Sequence, residues 1–298
     1  MGLRAVKIPQ VRLTKPDAMH LQPVPVWHPA LLLQSPLFAP LHTVLANINN
    51  TDFPTITDCN ALLAKQRPSI VTHTNLSLRF VTQQAGKLTF EQQYEPRCYL
   101  AGEVQMRANN WHDLFNVLVW LTFPKIKAAL NARHYHALRL AQTQPYKNGR
   151  GALRDASTLL DESGIIVVTA DEKLAYLLRN FQWKKLFWQQ REQVKTKMGF
   201  YIFGHGLYEK SVQPYLGITG QGLLLHVESA FFTWSLPAQL MYIDSALVGQ
   251  LATPDFCTTT VALTPLPLLG IPGWSIDNEH EDYYHNATYF RAGRRKKN

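Results

Sequence analysis

Residues 148–180 read NGRGALRDASTLLDESGIIVVTADEKLAYLLRN. Asn148-Gly149-Arg150-Gly151 has the composition of a turn, and Ala152–Glu162 carries a helical pattern that Ser163-Gly164 closes with a glycine cap. Ile165–Val168 is an unbroken β-branched run, the mark of a buried strand. Thr169-Ala170-Asp171-Glu172 then reads as a capping box opening a helix through Asn180. A strand set between two capped helices excludes an all-helical or all-strand chain.

The neighbouring stretches do not repeat that unit. Asn75–Gln84 and Lys87–Tyr94 alternate apolar and polar residues around Ala85-Gly86, which predicts an antiparallel β-hairpin with a glycine turn. Tyr99–Met106 reads as a further strand. Asn110 caps a helix with Asp113 in its first turn, and Pro124 ends it or begins the next, Lys125–Ala141. Phe187–Lys197, Tyr201–Val212 and Asp244–Leu251 read as helices and Leu223–Val227 as a strand. Thr264–Trp274, TPLPLLGIPGW, holds too many prolines and glycines for a regular element. Without a βαβ rhythm the fold class is α+β, a helical single body with a small antiparallel β-hairpin or sheet. Residues 1–40 form a proline-rich arm anchored by Trp27, Leu31, Leu32, Leu33 and Phe38. Residues 41–290 form one domain, and 291–298 a basic tail.

The chain has 298 residues, 46% apolar and 17% charged, ordinary proportions for a folded protein. Its net charge of +9 favours polyanionic partners such as RNA, DNA or an acidic membrane surface. Three widely spaced cysteines, Cys59, Cys98 and Cys257, point to reduced thiols in the cytoplasm rather than a disulfide framework. The N-terminus lacks a secretory apolar core, and Leu114–Phe123 is too short to cross a bilayer, so no membrane insertion is expected.

Three stretches gather the polar chemistry: Asn110–Lys125, Asn148–Glu162 and Phe200–Lys210. Ionisable groups inside apolar helices are costly unless they are paired or used, which points to a shared polar site. His205 and Glu209 lie four apart on one helix face, with Gly204 and Gly206 giving a ligand or another backbone room beside the imidazole. That arrangement suits acid–base catalysis, or a two-ligand metal face. His112 would assist as a base or ligand, with Asn116 on the same face. Arg150 and Arg154 would receive a phosphate or carboxylate, and Lys210 follows Glu209. Asp155 or Glu162 could hold a divalent cation, and Asp155 could also position a water. The competing account makes these groups internal salt bridges and helix caps. HExxH, GxSxG, GxxxxGK[ST] and GxGxxG are all absent.

The strings NWHDLFNVLVWLTFPKIKAALNARH, RGALRDASTLLDESGIIVV, FGHGLYEK and PLPLLGIPGW resemble a bacterial family known as domain of unknown function 3025. So does NEHEDYYHNATYFR near the end. The resemblance implies a bacterial cytoplasmic protein with one family-wide domain; it implies no activity, cofactor or catalytic residue.

Two functional readings follow. One is a hydrolase of a phosphate-containing or otherwise anionic substrate, with His205, Glu209, His112 and Asp155 as catalytic groups. Arg150, Arg154, Asn116 and Lys210 would then bind substrate. The other is a non-catalytic nucleic-acid- or ribosome-associated protein, using the basic tail and the aromatic–basic stripe Trp183, Phe187 and Trp188. A protein-interaction scaffold is a third.

Overall fold

The computed structural model describes residues 26–48, 51–143, 151–253 and 255–293. Eleven α-helices and six strands follow one another along these residues. The helices are α1 (Pro29–Gln34), α2 (His42–Leu45), α3 (Ile56–Ala64), α4 (Tyr94–Ala101), α5 (Trp111–Thr122), α6 (Pro124–Thr143), α7 (Ala152–Ser163), α8 (Glu172–Arg179), α9 (Arg191–Lys197), α10 (His205–Ser211) and α11 (Leu236–Leu251). The strands are β1 (Arg79–Thr82), β2 (Glu103–Met106), β3 (Gly164–Thr169), β4 (Met198–Ile202), β5 (Thr219–His226) and β6 (Thr264–Pro267). Helices and two small sheets share one hydrophobic core, so the architecture is α+β.

The larger sheet runs β4-β3-β5-β6. All six residues of β3 are buried, as expected of a central strand covered on both faces. It pairs antiparallel with β4, Val167 facing Phe200, and parallel with β5, Val167 facing Leu224. The proline-rich segment after Leu263 supplies β6, contrary to the sequence expectation of no regular element there. Pro265 and Pro267 are tolerated because β6 is an edge strand, paired with β5 alone.

The hairpin expected over 75–94 is not formed. β1 pairs in parallel with β2, Phe80 opposite Val104, and residues 94–101 form helix α4. Period-two alternation at 87–94 was too weak a signal against the apolar contacts that Phe80, Val104 and Met106 bury together. Glu103 on β2 fixes the register by pairing with Arg79 and Arg97. Gly102, at φ 70°, ends α4 so closely under Ser77 that a Cβ would meet its carbonyl oxygen.

Other local readings shift by a turn. Residues 198–202 form β4, so the helix expected from Tyr201 begins only at His205. Asp171 alone caps α8, accepting from the Lys173 and Leu174 N–H groups. The segment 29–41 is helical rather than extended: α1 is followed by a 3₁₀ turn at Pro36–Leu41. Trp27, Leu32 and Phe38 are buried there, while Leu31 is 56% exposed. Phe38 stacks on Phe115 and Tyr208, with ring centroids 5.7 and 5.6 Å apart, which ties this segment to the backs of α5 and α10.

Helix α5 buries nine of its residues, including Trp111, Leu114, Phe115, Leu118 and Trp120. At roughly 1.5–3 kcal/mol per large apolar side chain, this burial anchors the middle of the molecule. α5 packs against α10, α6 and the 3₁₀ turn, and α10 packs on α7. The N-termini of α5 and α10 and the C-terminus of α7 therefore meet. Among the described residues no helix is long and apolar enough to cross a membrane.

Candidate metal centre

His112 is the second residue of α5, in the turn where the capping Asn110 side chain accepts the Asp113 N–H at 3.0 Å. Asp113 is also engaged: it accepts three hydrogen bonds from Arg107, at 2.7–2.8 Å, from its backbone N–H, Nε and Nη2. Burial works against the charge of Asp113, but these bonds outweigh it and hold the carboxyl below its ordinary range. The helix start thus points His112 away from its neighbour and across to α7 and α10.

Glycine makes that meeting possible. Gly164 follows α7 with φ −68°, so it is not the left-handed cap the sequence suggested. Its place is steric, because a Cβ there would lie 2.3 Å from the Leu160 carbonyl oxygen. A Cβ on Gly204 would lie 2.5–2.6 Å from backbone atoms of residues 162–164. One on Gly206 would stand 2.5 Å from Glu162 Oε2. The Gly-His-Gly run lets the first turn of α10 rest on the end of α7, with His205 between.

The two imidazoles lie with His112 Nε2 and His205 Nε2 3.0 Å apart. Glu162 Oε1 is 3.7 Å from the first and 3.5 Å from the second. A point equidistant from these three atoms lies about 2.0 Å from each, which is the bond length of zinc to imidazole nitrogen or carboxylate oxygen. These three residues are one group among the described residues spaced to hold a metal ion.

The outer nitrogens complete the picture. His112 Nδ1 donates to Glu209 Oε2 at 3.0 Å, which leaves a lone pair on Nε2. His205 is 6% exposed, and its Nδ1 has no hydrogen-bond partner among the described residues. The nearest carboxylate oxygen to it, Asp161 Oδ2, stands 3.7 Å away. A proton shared between the two Nε2 atoms would leave a bare His205 Nδ1 facing that carboxylate. A cation bound to both Nε2 lone pairs lets His205 carry its proton on Nδ1, towards Asp161. Carboxylates behind ligating histidines orient them and raise their basicity.

The acids are tuned to match. Burial alone would raise Glu162, but contact with His205 and His112 prevails and lowers its carboxyl. Asp161 is likewise opposed by burial, yet the Lys127 ammonium, 2.6 Å from Oδ1, and His205 bring it down to about 2. Lys127 itself is 4% exposed and lies 5.6 Å from the Trp120 ring centroid.

A cleft of about 240 Å³ opens over this centre, lined also by Gln83, Tyr94, Glu95, Gln105, Arg107 and Asn116. Asn116 donates from Nδ2 to the Tyr94 hydroxyl at 2.6 Å. Its side chain is buried and its Oδ1 has no partner among the described residues.

Among the residues expected from sequence, His112, Asn116, Glu162, His205 and Glu209 do converge here. Glu209, though, serves His112 and not the histidine on its own helix. Asp155 and Arg154 sit in the first turn of α7, roughly 10 Å along the axis from Glu162, and do not line the cleft. Lys210 is exposed and outside it. Arg150 lies outside the described residues, as do 294–298 of the basic tail. Of the aromatic stripe, Trp183 and Phe187 are buried in the core and Trp188 is packed against it. Sequence reading passed over Tyr94, Glu95, Arg107 and Lys127 as site residues. The one available signal was Lys127, a charge at an otherwise apolar position of α6.

The family model described as "Protein of unknown function (DUF3025)" matches residues 78–294. The chain belongs to this family. That span includes every residue of the centre and its cleft, from Gln83 to Glu209. No curated protein and no solved structure matches the chain.

Proposed function

We propose that this protein is a metal-dependent hydrolase in which His112 Nε2, His205 Nε2 and Glu162 hold a zinc-class divalent ion. The observation that carries the reading is the spacing of these three atoms at metal-bond radius around one point. Two histidines and a glutamate with an open fourth position form the donor set of a catalytic rather than a structural zinc. Such an ion brings the pKa of its bound water to about 7 and so supplies a hydroxide nucleophile at neutral pH. Glu209 and Asp161 act as positioning groups that hold the imidazole protons on the nitrogens turned away from the ion. Asn116 and the Tyr94 hydroxyl line the approach and supply polar contacts for the substrate.

The arginine pair adds no support, because Arg154 is outside the cleft and Arg150 lies outside the described residues; Arg107, which does line the cleft, is committed to Asp113. With Trp183 and Phe187 in the core, the nucleic-acid reading rests on the net charge and the basic tail.

The test is metal content and metal binding. Wild-type protein stripped with chelator and titrated with Zn²⁺ should take up one ion per chain. His205→Ala and Glu162→Gln should each weaken uptake at least a hundredfold, while Asp155→Asn and Lys210→Ala leave it intact. Unchanged uptake in a His112→Ala, His205→Ala double variant, or no uptake by the wild type, would overturn the assignment.

A further inference from the structure

We infer that the cleft over the metal centre takes a cationic substrate, one with an ammonium or guanidinium group that Glu95 receives. This rests on the metal-dependent reading above and adds the substrate's charge to it.

The argument follows the charges that line the cleft. Arg107 is spent on Asp113 through three hydrogen bonds. Asp161 is spent on Lys127. Glu162 faces the two histidines. Glu95 is left. It stands in the first turn of α4 and is half-buried, with no cation within 4.0 Å among the described residues. A half-buried carboxylate without a counter-ion is costly to keep.

Glu95 is nonetheless held in place. Asn131, 4% exposed, donates from Nδ2 to the Glu95 carboxylate at 2.6 Å and to its backbone carbonyl at 3.0 Å. Both partners are acceptors, so the orientation of this amide is fixed. A buried amide thus fixes the carboxylate at the cleft wall without neutralising it.

A second, independent group points the same way. Asn116 is buried to 6% exposure, and with Nδ2 spent on Tyr94 its Oδ1 is an unpartnered acceptor on the cleft wall. Apart from the exposed amide of Gln83 at the rim, the free polar groups of the lining are therefore a carboxylate and a carbonyl oxygen, both wanting N–H donors. An anionic substrate would meet Glu95, Asp161 and Glu162, and besides the ion itself no uncommitted side-chain cation lines the cleft among the described residues. The sequence alone suggested an anionic substrate, because it offered Arg150 and Arg154 for the site; the cleft argues for the opposite sign.

Zinc-binding hydroxamates provide the probe. Zinc-loaded wild-type protein would be titrated calorimetrically with ω-amino hydroxamates of two to six carbons, and with methyl-ended and carboxylate-ended counterparts. At the best length, the ammonium probe should bind at least tenfold tighter than either counterpart. Glu95→Gln, which preserves the Asn131 contact, should bring it down to the methyl-ended probe while zinc stoichiometry stays at one. Equal or tighter binding of the carboxylate-ended probe overturns the inference. So does a preference that survives Glu95→Gln, or a zinc-loaded chain that binds none of the series. Failure to take up zinc sinks the metal-dependent reading and this one with it; zinc uptake with a flat ranking sinks only this one.

Discussion

Asp244 is a buried carboxylate far along the chain from the helix it caps. It lies on α11, 4% exposed. Its Oδ1 accepts the Ile126 N–H at 2.9 Å and its Oδ2 the Lys125 N–H at 3.2 Å, so it caps the N-terminus of α6 from another helix. Burial pushes its pKa up to about 6, more than those two backbone bonds and the Lys125 charge pull it down. The ordinary value is 3.8, so the folded chain binds this proton more tightly than the unfolded one. The sign follows. The stabilising contribution is complete below pH 3.8 and is lost as pH rises through about 6. The shift corresponds to about 3 kcal/mol, of which about half is gone by pH 5 and nearly all by pH 7.

Asp244→Asn removes the titration and keeps one cap acceptor. The lost second bond costs about 1 kcal/mol at every pH. Urea unfolding of both proteins from pH 4 to 7.5 gives the difference in stability, in which all other titrating groups cancel. The variant should gain about 2.4 kcal/mol relative to wild type across that range, passing from the less stable protein at pH 4 to the more stable at pH 7. A difference that stays flat with pH, or that falls, would refute the claim that burial dominates the charge of Asp244.

Gly204→Ala drives a Cβ into the backbone of residues 162–164 and should cost about 1–3 kcal/mol, read from the melting temperature. Gly206→Ala meets mainly the mobile end of Glu162, so it should leave the melting temperature nearly unchanged while weakening zinc binding. Lys127→Met strands Asp161 without its counter-charge and should cost about 3–5 kcal/mol in urea unfolding. Replacing both partners by apolar residues, Lys127→Met with Asp161→Leu, should recover most of that. Cys59, Cys98 and Cys257 are buried free thiols, and burial pushes Cys59 up to about 12, so changing all three to Ala should cost stability and leave zinc uptake intact.

Helix starts with local capping chemistry were legible in the sequence. Asn110 caps α5 and Pro124 opens α6 because those signals act within one turn. The β-branched run at 165–168 also announced β3, since a fully buried strand needs an apolar side chain on both faces. What failed depended on partners distant in sequence. β1 pairs with β2 across α4, and a parallel neighbour leaves no turn signal at either strand. In the site, the face shared by His205 and Glu209 suggested that they act on each other. Helical spacing says which side chains point the same way, not which of them touch. Here both point at α5, where His112 takes the carboxylate by one nitrogen and faces His205 with the other.

Asp161 and Glu162 stand side by side in the last turn of α7, where the helix dipole disfavours negative charge. A chain that places two acids there needs positive charge to meet them. Lys127 does so for Asp161, at 2.6 Å and deep in the core. Within 4.0 Å of Glu162 stand only imidazoles among the described residues, which are charged only when protonated. The Gly-His-Gly turn of α10 packs directly on the end of α7, a Cβ on Gly206 reaching within 2.5 Å of Glu162 Oε2, and Glu162 faces the two histidine nitrogens. An acid brought against a helix C-terminus, against two imidazoles with Nε2 atoms 3.0 Å apart, and beside a second acid is an arrangement that one divalent cation would satisfy at every contact.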